Sequence, residues 1–153
     1  MKAITLWQPW ASAIALGYKK FETRSWATKY RGSIVIHAAA KKLTAYEMAC
    51  FNDGLLEDTY IYKKDGIYYL SRNKESHELV LSKVVAIAEI TNCIPITEQF
   101  KRILSKEELS YGDYSTDGKQ RFAWQLENVK PLFNSIDIKG QQGLWNIENI
   151  NYE

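Results

Sequence analysis

The 153 residues are 46% apolar and 25% charged, the make-up of an ordinary globular chain of one-domain length. Cys50 and Cys93 have no paired-cysteine spacing, which excludes a disulfide framework, and no apolar run approaches the ~18–20 residues of a membrane span. Residues 1–7 turn polar too soon for a signal peptide, so the expected setting is reduced and cytoplasmic. The net charge of +2 is unevenly spread. Residues 1–42 hold eight basic groups against Glu22 alone, a local +7, and the remainder carries −5. Such an asymmetry can build a basic face able to attract phosphates. Trp7, Trp10, Tyr18, Phe21, Trp26 and Tyr30 alternate with these cations, and flat rings beside cations suit base stacking.

Residues 4–7 read as a first strand. Pro9 suits the first turn of a helix that Gly17 would end. Residues 20–26 follow as a strand with Lys20, Glu22, Arg24 and Trp26 on one side, and the β-branched run at 33–38 predicts a buried strand. Thr44 and Glu47 form a capping-box pattern opening a helix through about Asn52, with Gly54 at its end. Residues 55–78, rich in Tyr, Lys and Asp, read as a family-variable excursion from the core fold with a hairpin turn at Lys64-Asp65-Gly66. The strongest strand region is 80–94, a short helix is expected at 103–109, and strands at 121–129 and 143–150 close the chain. This pattern predicts a single α+β domain over 1–153, a curled sheet or small barrel of five to seven strands with two or three short helices.

Leu6-Trp7-Gln8-Pro9-Trp10-Ala11, followed by Gly17-Tyr18-Lys19-Lys20-Phe21-Glu22-Thr23-Arg24, resembles the ASCH domain family of the PUA-like superfamily. Arg31-Gly32 with the strand after it, Phe122-Ala123-Trp124-Gln125-Leu126 and Gln142-Gly143-Leu144-Trp145 look like the same family's later strands. The resemblance implies a PUA-like curled β-barrel with flanking helices and a function in binding RNA or a modified nucleobase. It also implies the site. Lys19, Glu22 and Glu89 match the positions of a Lys, a Thr and a Glu in a branch that resembles hydrolases of N4-acetylcytidine. Glu22 stands where that branch has its hydroxyl, so an acyl-transfer mechanism does not carry over intact.

Glu89 interrupts an apolar strand, where a buried unpaired charge would be costly, and is expected to point into a polar pocket. A strand would separate Lys19 from Glu22; only a turn at Lys19 lets them share a site. The leading expectation is a base pocket whose nucleic-acid contacts come from Gln8, Trp10, Lys19, Arg24, Trp26, Lys29, Arg31 and His37. The alternatives are an amidohydrolase of N4-acylated cytidine or a ribonuclease using Lys19, Glu22 and Glu89, and a protein-interaction domain. No cofactor is expected. His37, His77, Cys50 and Cys93 lack the spacing of metal ligands, and no phosphate-binding loop or serine-nucleophile motif is present. RNA or a nucleoside is the expected partner.

Overall fold

The computed structural model of the chain describes residues 1–132 and 136–148. Strands β1 (Lys2–Leu6), β2 (Phe21–Arg24) and β3 (Gly32–Ala38) come first, with helix α1 (Trp10–Ala15) between β1 and β2. Helix α2 (Ala45–Gly54) leads to β4 (Thr59–Lys64), β5 (Ile67–Arg72) and β6 (Glu75–Glu78). The chain continues through β7 (Val84–Pro95), α3 (Glu98–Arg102), α4 (Lys106–Ser110), β8 (Phe122–Pro131) and β9 (Leu144–Asn146). The main sheet runs β2-β8-β7-β3-β1-β9 and curls into a half barrel. Its β1–β3 pair is parallel and its other pairs are antiparallel.

The run at 34–38 is buried throughout, and apolar but for His37, because β3 is covered on both faces. Ile34 and Ile36 face a core with Ile4, Leu6, Ala86, Ala88, Ile90 and Trp124, into which α1 inserts Ala11 and Ile14. Val35 faces the opposite cluster with Ala3, Val84 and Trp145. Gly17 ends the α1 segment as expected, with φ +80° and its N–H on the Ile14 carbonyl at 3.0 Å. The Thr44–Glu47 capping box forms with both hydrogen bonds at 3.1 Å.

Residues 59–78 build a separate sheet in the order β4-β5-β6. Its turns are Asp65-Gly66 (φ 51° and 80°) and Asn73-Lys74 (φ 50° and 67°), the double left-handed geometry of a two-residue hairpin. This sheet raises the strand count to nine among the described residues; the main sheet alone holds six. The helix expected at 103–109 forms as α4 from Lys106 on, and a second short helix, α3, precedes it. Thr97 and Ser105 each cap their own helix by accepting the N3 N–H, which keeps the two separate. The last strand is shorter than expected at 144–146, and positions 149 and 150 lie outside the described residues. No helix among the described residues is long and apolar enough to cross a membrane.

One buried relay ties the far end of the chain to the sheet. His37 is fully buried, and its Nε2 lies 2.7 Å from the Ile138 carbonyl, which can only accept. Nε2 is therefore the protonated nitrogen. Nδ1 accepts from the Thr5 hydroxyl at 3.1 Å, and the Thr5 oxygen accepts the Trp145 indole N–H at 3.0 Å. Burial holds the His37 pKa below the usual histidine value, opposed by its backbone hydrogen bonds at Ile138 and Ser82. Unfolded, this histidine takes up a proton near pH 6.5, and the folded state does so only at lower pH. Stability should thus fall as pH drops below ~6.5, by up to ~1.4 kcal/mol per unit until the folded pKa is passed. Denaturant melts of wild type and His37→Gln at pH 7.5 and 5.0 check this. The variant should lose less stability on acidification; equal losses would refute the assignment. Glu108, whose pKa burial raises, acts in the opposite sense and is common to both proteins.

Candidate functional site

Residues at and just past the C-terminal ends of β1 and β2, two strands that run in opposite directions in the curled sheet, line a common space with the loop before β9. A cleft opens there. Thr5, Trp7, Arg24 and Trp26 wall two connected chambers of about 320 and 620 Å³. The smaller chamber, termed inner, adds Leu6, Trp10, Glu22, Thr23, Ser25 and Arg121, and the larger, termed outer, adds Ala39, Ala40 and the 139–143 loop.

Two exposed indoles flank the opening. Trp7 is 52% and Trp26 39% exposed, unusual for the largest apolar side chain. Trp26 is held from behind by the buried Trp124, edge to face at a centroid distance of 4.7 Å, and the Trp124 indole donates to the Trp26 carbonyl at 3.3 Å. Trp7 carries the Lys41 ammonium 4.8 Å above its ring, and Lys41 is itself paired with Glu47 at 2.6 Å. Trp10 packs edge-on against Phe51 at 5.1 Å, which fixes its ring at the chamber wall.

Glu22 and Arg24 alternate on the face of β2 turned to the cleft, Glu22 opposite Trp124 and Arg24 opposite Phe122. Their charges lie close, with Arg24 Nε 4.0 Å from Glu22 Oε1, too long for a hydrogen bond. Glu22 Oε2 and Arg24 Nε are buried without a hydrogen-bond partner. Both groups thus keep unused hydrogen-bonding capacity at the cleft floor.

Lys19 sits behind this floor. Tyr18 and Lys19 both donate their N–H to the Ala13 carbonyl, a turn that breaks strand alternation and brings Lys19 to Glu22's side. Its ammonium is buried and donates to the Tyr111 carbonyl at 2.9 Å. Burial lowers the Lys19 pKa, and the charges of Glu22 and Glu108 oppose that shift. Glu108 comes from α4, and its Oε1 accepts the Lys20 N–H at 2.6 Å. Burial raises its pKa, opposed by Lys19 and by the N–H groups of Lys20 and Phe21. Burial also raises the Tyr111 and Tyr114 hydroxyls, which lack hydrogen-bond partners.

The structure brings Trp10, Glu22, Arg24 and Trp26 to the cleft, with Lys19 one layer beneath. It places the other expected residues elsewhere. Glu89 does not point into this pocket: Ala86, Ala88 and Ile90 take the inner face of β7, and Glu89 shares the outer one with Ile87. There it stays half-buried and accepts from Asn128 at 2.8 Å, which removes the expected cost of burying it unpaired. Gln8 is a buried plug, its amide bonded to Ser12 Oγ at 2.7 Å and the Val80 carbonyl at 2.8 Å. His37 serves the relay described above. Lys29 is exposed away from the lining residues, and Arg31 donates to the Thr28 and Tyr30 carbonyls of its own turn. Sequence reasoning passed over Thr5, Arg121, Glu108 and the 139–143 loop. Nothing local marks the first three, whereas Gly140 and Gly143 in close succession signal a tight loop.

A half-barrel sheet plugged by one helix, with an indole-flanked polar cleft past its strand ends, defines a PUA-like α+β domain. The family model of the ASCH domain matches residues 4–136, and the chain belongs to that family. At family level this is an RNA-binding type of domain. The chain is also similar to activating signal cointegrator 1 from Homo sapiens, at 24% identity over 149 residues. The Mus musculus protein of the same name is 22% identical over the same length. In both cases 95% of this chain aligns but only 22% of the relative, so the chain spans about a fifth of the curated relatives it matches.

Proposed function

We propose that the cleft binds a base of RNA, canonical or modified, by stacking and a carboxylate contact. The observation that carries this reading is the placement of the two exposed indoles, Trp7 and Trp26, beside Glu22 and Arg24. An indole face accepts any base, a carboxylate accepts from an exocyclic amino group, and a guanidinium with unused donors suits a carbonyl or a phosphate. Anisotropy of a labelled single-stranded RNA at ~50 and ~200 mM salt tests it. Affinity should fall steeply with salt, and Trp7→Ala or Trp26→Ala should each weaken binding by about 5–150-fold, the worth of one stacked base. No measurable binding at ~50 mM salt would end this reading.

A hydrolytic reading draws on one observation, the approach of Lys19 to Glu22. It keeps two of its three expected residues, because Glu89 lies on the other side of β7. Lys19 is also separated from the chamber, with its ammonium on a backbone carbonyl. Cytidine released from N4-acetylcytidine, or cleavage of the RNA in the binding assay, would move the assignment to an amidohydrolase or a ribonuclease.

A further inference from the structure

The two chambers differ in charge. The inner one holds Glu22 beside Arg24 and Arg121; Arg121 is already paired with Asp113 at 3.4 Å, so a phosphate placed there would meet a carboxylate. Among the described residues neither Asp nor Glu lines the outer one, whose wall includes both Arg24 and Lys139. Lys139 has no ion pair among the described residues, and Arg24 has only the long one with Glu22, at 4.0 Å. The Arg24 Nε has no hydrogen-bond partner among the described residues. Asp137, two residues from Lys139, is taken by Lys83. Lys41, a further cation near the opening, is held by both Glu47 oxygens at 2.6 and 2.7 Å.

The loop that carries Lys139 is held firmly at its base. A Cβ on Gly140 would lie 2.6 Å from Thr5 Oγ and 3.0 Å from His37 Cε1, so only glycine lets the loop lie this close to β1. Ile138, just before it, is held by His37. The cation is therefore presented from an anchored backbone, and the exposed amides of Gln141 and Gln142 add donors on the same wall.

We infer that the outer chamber is a phosphate subsite, with the phosphate held between Arg24 and Lys139, so that the cleft takes a nucleotide in preference to a free nucleoside. This rests on the base-binding reading of the inner chamber. The phosphate can belong to a free mononucleotide or to a nucleotide within an RNA strand, since both present anionic non-bridging phosphate oxygens next to the same sugar.

Titration of the intact protein, followed by tryptophan fluorescence, separates these cases. The probes are the four ribonucleosides, their 5′- and 3′-monophosphates, ribose 5-phosphate and a single-stranded hexanucleotide. At least one monophosphate should bind about tenfold or more tighter than its nucleoside at ~50 mM salt. Lys139→Gln should remove most of that advantage and leave nucleoside affinity unchanged. Monophosphates that bind where nucleosides show no binding support the inference equally. A hexanucleotide tighter than both monophosphates assigns the phosphate to an RNA strand, and equal affinities assign it to a free nucleotide. Nucleosides and monophosphates binding alike, or a Lys139→Gln loss equal for both, would overturn the subsite and leave base binding standing. Ribose 5-phosphate binding as tightly as any nucleotide would overturn base recognition and leave the subsite. Binding of no probe would overturn both.

Discussion

Replacing Glu108 with alanine should destabilise the protein by about 2–6 kcal/mol, at about 1–3 kcal/mol for each of two buried backbone N–H groups left unsatisfied. The carboxylate is 5% exposed and accepts the Lys20 N–H at 2.6 Å, with the Phe21 N–H directed at the same group. Its removal orphans two backbone donors at the start of β2 and strips a compensating charge from buried Lys19. Because β2 carries Glu22 and Arg24, the cleft floor should loosen along with the fold. Glu108→Gln keeps an acceptor and removes only the charge, so its loss should be clearly smaller. Urea titrations of both variants, compared at constant m-value, measure this. A loss below about 1 kcal/mol in the alanine variant would show that solvent satisfies these donors instead.

Trp124→Ala is the second large effect. The ring is completely buried in the main core, and large aromatic truncations of this kind cost about 3–5 kcal/mol. For a chain of this length that amounts to roughly 6–20 °C in Tm. Trp124 also backs Trp26, by its ring edge and by its indole hydrogen bond. The variant should therefore lose RNA affinity even at temperatures where it remains folded. Trp124→Phe keeps much of the volume but not the N–H, and it should recover stability more fully than binding. Recovery of both in parallel would mean that Trp26 is positioned without help from the indole hydrogen bond.

The elements legible in the sequence are those fixed by local chemistry. The Thr44–Glu47 box, the Asp65-Gly66 turn and the Gly17 stop each depend on residues within four positions of one another. The turn that brings Lys19 to Glu22 was legible as a condition, since strand alternation alone would have separated them. Glu89 was misplaced for a different reason. An apolar run covered on both faces gives no parity signal, and β7 shifts register between Ile87 and Glu89 and again between Ile90 and Asn92. Gln8 has the residue type of a binding side chain but spends its amide on Ser12 and on Val80, 72 positions away. Glu108 lies 88 positions from the backbone it holds, and Lys139 reaches Arg24's cleft only through tertiary contact. Periodicity does not encode pairings at that separation.

β1 has β3 on one side and β9 on the other, so the strand behind Trp7 is completed by the far end of the chain. On a ribosome adding about 5–20 residues per second, residue 139 follows Trp7 by roughly 6–25 s. During that interval β1 has an open edge, with hydrogen-bonding groups free to pair with the wrong strand. The growing chain can display its two indoles and Arg24 well before the outer wall of the cleft exists. On the proposed reading base binding thus requires the finished domain, and newly made chains pass through a window in which the edge of β1 stays open until β9 is made.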